Sequence, residues 1–226
     1  GVGYGPTRAE TLDIFPAKIT SSPIHIFFHG GYWHSLTSRD FAFVAEGLVR
    51  NGITAVLVNY ALCPTVNIDE IVRQSRAAVA WTYRNAETFG GNPERISVSG
   101  HSAGGHLTGM LLTAEWEKDY GLPVNLINGF LPVSGLFDLA PFPFSWLQPE
   151  LQLTSEEVLR NSPLLLKPVY SPPVIVAVGA DESQEFQRQS EVYAKYLQKC
   201  GVPVEYQLIP GKNHFNIIHD FLGEGG

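Results

Sequence analysis

The sequence is poor in several residues that would announce a function by themselves. Only two cysteines occur in 226 residues, Cys63 and Cys200, and neither belongs to a C-x-x-C pair. That excludes a disulfide scaffold and the usual metal or redox motifs, and leaves both as small apolar residues. The 15 Lys and Arg are outnumbered by 22 Asp and Glu, for a net charge of −7. They form no basic patch able to neutralise a phosphate backbone, which excludes nucleic acid as a partner. No apolar run approaches the roughly 18 residues of a membrane span, so no membrane role is expected. The chain opens with GVGYGPTRAE, without Met and without a signal-peptide pattern, and reads as a trimmed chain of a soluble, cytoplasmic protein. A second copy of the chain, in a homodimer, is the one macromolecular partner this composition leaves open.

What is present is a core. Apolar residues make up 44% of the chain, enough for one sizeable α/β domain over residues 1–226. Short apolar runs read as strands at Ile24–Phe28, Thr54–Tyr60, Ile96–Gly100, Asn128–Ser134, Val174–Gly179 and Val204–Pro210. Several are apolar throughout, as expected for parallel strands covered on both faces. Helical patterns alternate with them. Asn67 and Glu70 suggest a cap ahead of Ile68, Ile71, Val72, Ala78 and Val79, and a second amphipathic helix runs from Phe186 to Lys199. This rhythm predicts a doubly wound, mostly parallel sheet with helices on both faces. Residues 136–170, rich in Pro and aromatics, break the rhythm and predict a cap-like insertion of short helices over the active-site edge.

The most informative stretch is RISVSGHSAGG, Arg95–Gly105. A strand ends at Gly100, a serine stands two residues on, and an apolar helix follows. The G-x-S-x-G pattern in that setting is a nucleophile elbow, in which small flanking residues let a sharp turn lift the Ser102 hydroxyl above the sheet. A serine needs a base and an orienting acid. His214, on the loop after the last strand, is where the base is required. His101 points away on the tight turn, and His25, His106 and His219 fit packing or hydrogen-bonding roles. The acid belongs in the loop after Val174–Gly179, where Asp181 and Glu182 stand side by side. The usual spacing of three residues from the strand-ending glycine favours Glu182, with Asp181 the alternative. Asp138 is a more distant candidate, with hydrogen bonding to its own loop as its ordinary role. HGGYW, His29–Trp33, predicts oxyanion donors in the Gly30 and Gly31 amides, completed by Ala103. Tyr32, Trp33 and His101, with the Phe142–Trp146 segment, are the expected walls for a substrate. His214 and His219 are spaced wrongly for a metal pair, and neither a metal nor another cofactor is expected.

With these motifs in order, the chain resembles the α/β-hydrolases. More narrowly it resembles the kynurenine formamidase (arylformamidase) branch, related to the hormone-sensitive-lipase-like esterases. FFHGGYW, NYALCPTVNIDEIVRQ, VSGHSAGGHL, ESQEFQRQS and NHFNII carry the likeness from about Phe27 to Ile218. It implies Ser102 as nucleophile, His214 as base and the acid at Glu182, where the eukaryotic enzymes carry Asp. The implied activity is cofactor-free removal of a small acyl group from an aryl amide, with a short-chain carboxylesterase as the alternative.

Overall fold

The central strands are built on short, largely apolar runs. In the computed structural model, which describes residues 1–223, β3 (Ser22–Phe28), β4 (Thr54–Val58) and β5 (Gly91–His101) lie side by side at the middle of one eight-stranded sheet. All five residues of β4 are buried, as a strand covered on both faces requires. Beyond β5 follow β6 (Gly129–Val133), β7 (Val174–Gly179) and β8 (Val204–Ile209), every pair from β4 to β8 being parallel. At the other edge β1 (Val2–Gly3) and β2 (Thr11–Phe15) run antiparallel, giving the order β1-β2-β4-β3-β5-β6-β7-β8. These two strands carry no continuous apolar run, so periodicity did not reveal them.

Helices cover both faces. The smaller core layer, Phe27, Phe41, Val44, Ala45, Ala55, Leu57 and Ile218, sits under α1 (Val44–Arg50). The larger layer receives α2 (Ile68–Asn85), α3 (Ala103–Leu111) and α7 (Gln184–Lys199). α2 starts where Asn67 accepts the Glu70 amide at 3.1 Å, which satisfies one of the orphan donors of a helix N-terminus. α4 (Trp116–Tyr120) is a short turn after α3.

Residues 136–170 form 3₁₀ turns at Phe142–Phe144 and Pro163–Leu165 with α5 (Gln148–Leu151) and α6 (Ser155–Arg160) between them. Polar ties hold this segment to the main body. Arg160 grips Asp69 at the start of α2 through two nitrogens, at 2.9 and 2.6 Å, and Asn161 donates to the same carboxylate at 2.7 Å. From the other side His106 on α3 donates to the Asn161 carbonyl at 2.7 Å. Among the described residues no helix is long and apolar enough to cross a membrane.

Candidate active site

Three loops meet at the C-terminal ends of the parallel strands. The first follows β5. Ser102 has φ 57° and ψ −116°, a region that L-residues rarely enter and that costs on the order of 1–3 kcal/mol. The turn survives because the residues two positions away on either side have no side chains. A Cβ on Gly104 would lie 1.9 Å from the Phe28 carbonyl oxygen, and one on Gly100 would lie 2.1 Å from that of Gly104. The Ser102 amide donates to the Val133 carbonyl at 2.9 Å, which ties the kink to β6.

The second loop follows β8. Asn213 accepts the Phe215 and Asn216 amides at 2.9 and 3.0 Å, and this tight turn presents His214. The Ser102 hydroxyl donates to His214 Nε2 at 3.0 Å, across 112 residues of sequence. On the far side of the ring, His214 Nδ1 donates to Glu182 Oε2 at 2.7 Å.

The third loop, after β7, places that carboxylate. Glu182 Oε1 accepts the Ser134 hydroxyl at 2.5 Å and the Gly179 amide at 2.9 Å, so both oxygens are engaged. Its side chain is fully buried. Burial opposes the charged form. The hydrogen bonds from His214, Ser134 and the Gly179 amide outweigh it and hold the carboxyl below the usual glutamate range. Asp181 is exposed; it lines the same cavity, but its amide is the group bonded to this loop system, reaching the Lys212 carbonyl at 3.0 Å. Asp138 accepts the Ala140 amide at 3.0 Å, within its own turn. Ser134, left-handed at φ 49° at the end of β6, holds the Glu182 carboxylate and was not flagged by the sequence, because no motif marks a serine that bonds a carboxylate 48 residues away.

The cavity above Ser102 measures about 730 Å³. Gly30, Gly31, Tyr32 and His101 line it, together with Phe41, Phe43, Phe186 and Ile218, which local patterns did not single out because they arrive from three separate segments. The ring of Phe186 lies 4.2 Å from that of His214. Ala103 is buried immediately behind the serine as the first residue of α3, where a helix leaves its amide without an intrahelical acceptor. A second cavity of about 230 Å³ adjoins the first, sharing Tyr32, Ser183 and Phe186 and reaching Phe142, Trp146 and Leu147 of the 136–170 segment.

Trp33 is not a substrate wall. It is fully buried, its Nε1 donates to His106 Nδ1 at 3.1 Å, and its carbonyl accepts the Cys63 amide at 2.8 Å. An indole of that size next to an apolar helix gains more by completing the core than by facing the cavity. The other buried histidines are likewise structural in their contacts. His25 bridges Ser97 and Ser99 at 2.8 and 2.6 Å, and His29 stacks on Tyr60 with centroids 4.1 Å apart. His219 is exposed at the cavity rim, edge-on to Phe43.

A family model for the alpha/beta hydrolase fold matches residues 25–218. The kynurenine formamidase of Salmo salar is 35% identical over 98% of this chain and 76% of its own length. The carboxylesterase NlhH of Mycobacterium tuberculosis is 27% identical, over 94% and 73% respectively. Among solved structures, an esterase of Thermogutta terrifontis with bound butyrate superposes with a TM-score of 0.73 at 21% identity, over 91% of this chain and 80% of that one, a likeness of fold. The chain therefore belongs to the α/β-hydrolase family, alongside the kynurenine formamidases within it, and is a hydrolase.

Proposed function

We propose that the protein is an arylformamidase that works through Ser102, His214 and Glu182. The observation carrying this reading is the unbroken contact path from the Ser102 hydroxyl through His214 to Glu182, at 3.0 and 2.7 Å, opening onto an aromatic-lined cavity. His214 Nε2 takes the Ser102 proton as the oxygen attacks the formyl carbon, and the Glu182 carboxylate stabilises the imidazolium that forms. The carbonyl oxygen becomes an oxyanion held by the Ala103 amide with those of Gly30 and Gly31, an arrangement in which one donor is typically worth about 2.7–4 kcal/mol. Collapse of the intermediate breaks the C–N bond, and His214 passes its proton to the departing aryl amine. Water, deprotonated by the same imidazole, then attacks the formyl-serine and releases formate. The kinship to kynurenine formamidases points to an aryl amine such as kynurenine as the leaving group, with Tyr32 and Phe186 as its walls. The cytoplasm is the proposed location, in keeping with two free cysteines.

A second reading, a short-chain carboxylesterase, is favoured by one feature. The adjoining cavity is lined by Leu136, Pro141, Phe142 and Leu147, more apolar room than a one-carbon acyl group needs. Hydrolysis of N-formylkynurenine, measured beside acetyl to octanoyl p-nitrophenyl esters, separates the two. Formamidase activity exceeding ester activity is the expected result, and cleavage of butyryl or longer esters without any formamide cleavage sinks the first reading. Ser102→Ala should abolish both activities.

A further inference from the structure

His101 stands beside Ser102 at the end of β5, yet its side chain reaches both the loop after β8 and the glycine loop after β3, His29–Trp33. Its Nε2–H donates to the backbone carbonyl of His214 at 2.8 Å, and the two imidazole rings lie 4.6 Å apart. The opposite ring nitrogen, Nδ1, is buried without a hydrogen-bond partner and faces Gly30. A Cβ on Gly30 would lie 3.2 Å from Nδ1 and 3.0 Å from the His101 carbonyl oxygen. One imidazole thus touches the serine-bearing turn, the histidine-bearing loop and the glycine loop.

We propose that His101 is a positioning residue: a neutral hydrogen-bond clamp that sets the distance between Ser102 and His214 by holding the His214 backbone. The contact fixes the tautomer, because a carbonyl accepts only from a protonated nitrogen, which leaves Nδ1 bare. Burial, with the His214 ring alongside, pushes the His101 pKa down to about 3, so the clamp carries no charge at neutral pH. A neutral clamp suits this place, since a second cation beside His214 would oppose the imidazolium formed during turnover. A bond to the main chain also leaves both nitrogens of the His214 ring free for Ser102 and Glu182. This role rests on Ser102, His214 and Glu182 acting as the triad.

The test compares His101→Gln, whose terminal amide can donate to the same carbonyl, with His101→Leu and His101→Asn, which cannot. Steady-state hydrolysis of p-nitrophenyl acetate and the inactivation rate with a fluorophosphonate probe are measured on each, with thermal unfolding as the control. His101→Leu and His101→Asn should lose at least about tenfold in kcat and in labelling rate with KM nearly unchanged, as a misplacement near the reacting atoms does. His101→Gln should recover most of both. Should Leu fail to fold, the Gln–Asn pair decides alone. The clamp is refuted if Asn matches the wild type, or if Gln is as slow as Asn at equal folded fraction. Activity remaining in Ser102→Ala would instead remove the triad beneath it, a different and separable failure.

Discussion

Replacing Glu182 by Gln removes one charge from a fully buried position while preserving shape. In the native site the carboxylate lies 2.7 Å from His214 Nδ1 and is anchored from behind by Ser134 and the Gly179 amide. In the proposed mechanism it faces an imidazolium during turnover. Two unit charges about 4 Å apart at an effective dielectric of about 20 interact by roughly 4 kcal/mol, which is about 10³ in rate. The amide adds a second penalty. If its NH₂ faces Nδ1, the imidazole is driven into the tautomer whose Nε2 carries the proton, and it can no longer accept from Ser102. Acid-to-amide replacement in a serine triad costs on the order of 10⁴ in kcat for that reason. Glu182→Gln should therefore lower kcat by about 10³- to 10⁴-fold, and Glu182→Asp, with a shorter arm, by about 10²-fold. Exposed Asp181, changed to Asn, should stay within about twofold. Steady-state hydrolysis of p-nitrophenyl acetate and of an aryl formamide measures all three, with circular dichroism confirming the fold. Retention of more than a tenth of wild-type kcat by folded Glu182→Gln, or a larger loss in Asp181→Asn, would refute the reasoning.

Other consequences are equally direct. Gly30→Ala places a methyl 3.2 Å from the Ser102 Cβ and should cut kcat by about 10²-fold or more by displacing the proposed oxyanion loop, while thermal stability changes little; unchanged kcat counts against that role. Trp33→Phe strips His106 Nδ1 of its donor in the core and should destabilise by about 1–3 kcal/mol, a Tm drop of roughly 2–4 °C per kcal/mol, readable by calorimetry. Burial lowers the pKa of His25, His29 and His106 from 6.5 to about 4. Each contributes stability that is fully present above its unfolded value and is lost as pH falls toward its folded one. Denaturant unfolding should therefore weaken between about pH 6.5 and pH 4, by up to about 1.4 kcal/mol per pH unit for each histidine. A flat profile over that range would contradict the buried, neutral assignment.

Local chain geometry explains how much could be read in advance. The elbow is legible because a kink between strand and helix demands small residues two positions either side of the serine, a constraint that Gly100 and Gly104 meet by themselves. Most of the parallel strands are legible because burial on both faces favours short, largely apolar runs. β1 and β2 were not, since an antiparallel edge imposes no such run. Trp33 was misread for a related reason: a glycine-rich turn has no periodicity to say which side of it faces the core. Tyr32 lines the cavity whereas its neighbour Trp33 is fully buried.

The sequence alone determined the order of the parts: an elbow after one strand, an imidazole after the last, and two carboxylates after the strand before it. Such order follows from backbone sterics and from the hydrophobic period, which act over a few residues. Only the tertiary structure set Glu182 rather than Asp181 against His214, brought Ser134 to the Glu182 carboxylate and Phe186 to the His214 ring, and turned His101 toward the His214 backbone. Those outcomes depend on where side chains point once loops separated by 30 to more than 110 residues have closed on one another, and no local rule carries that information.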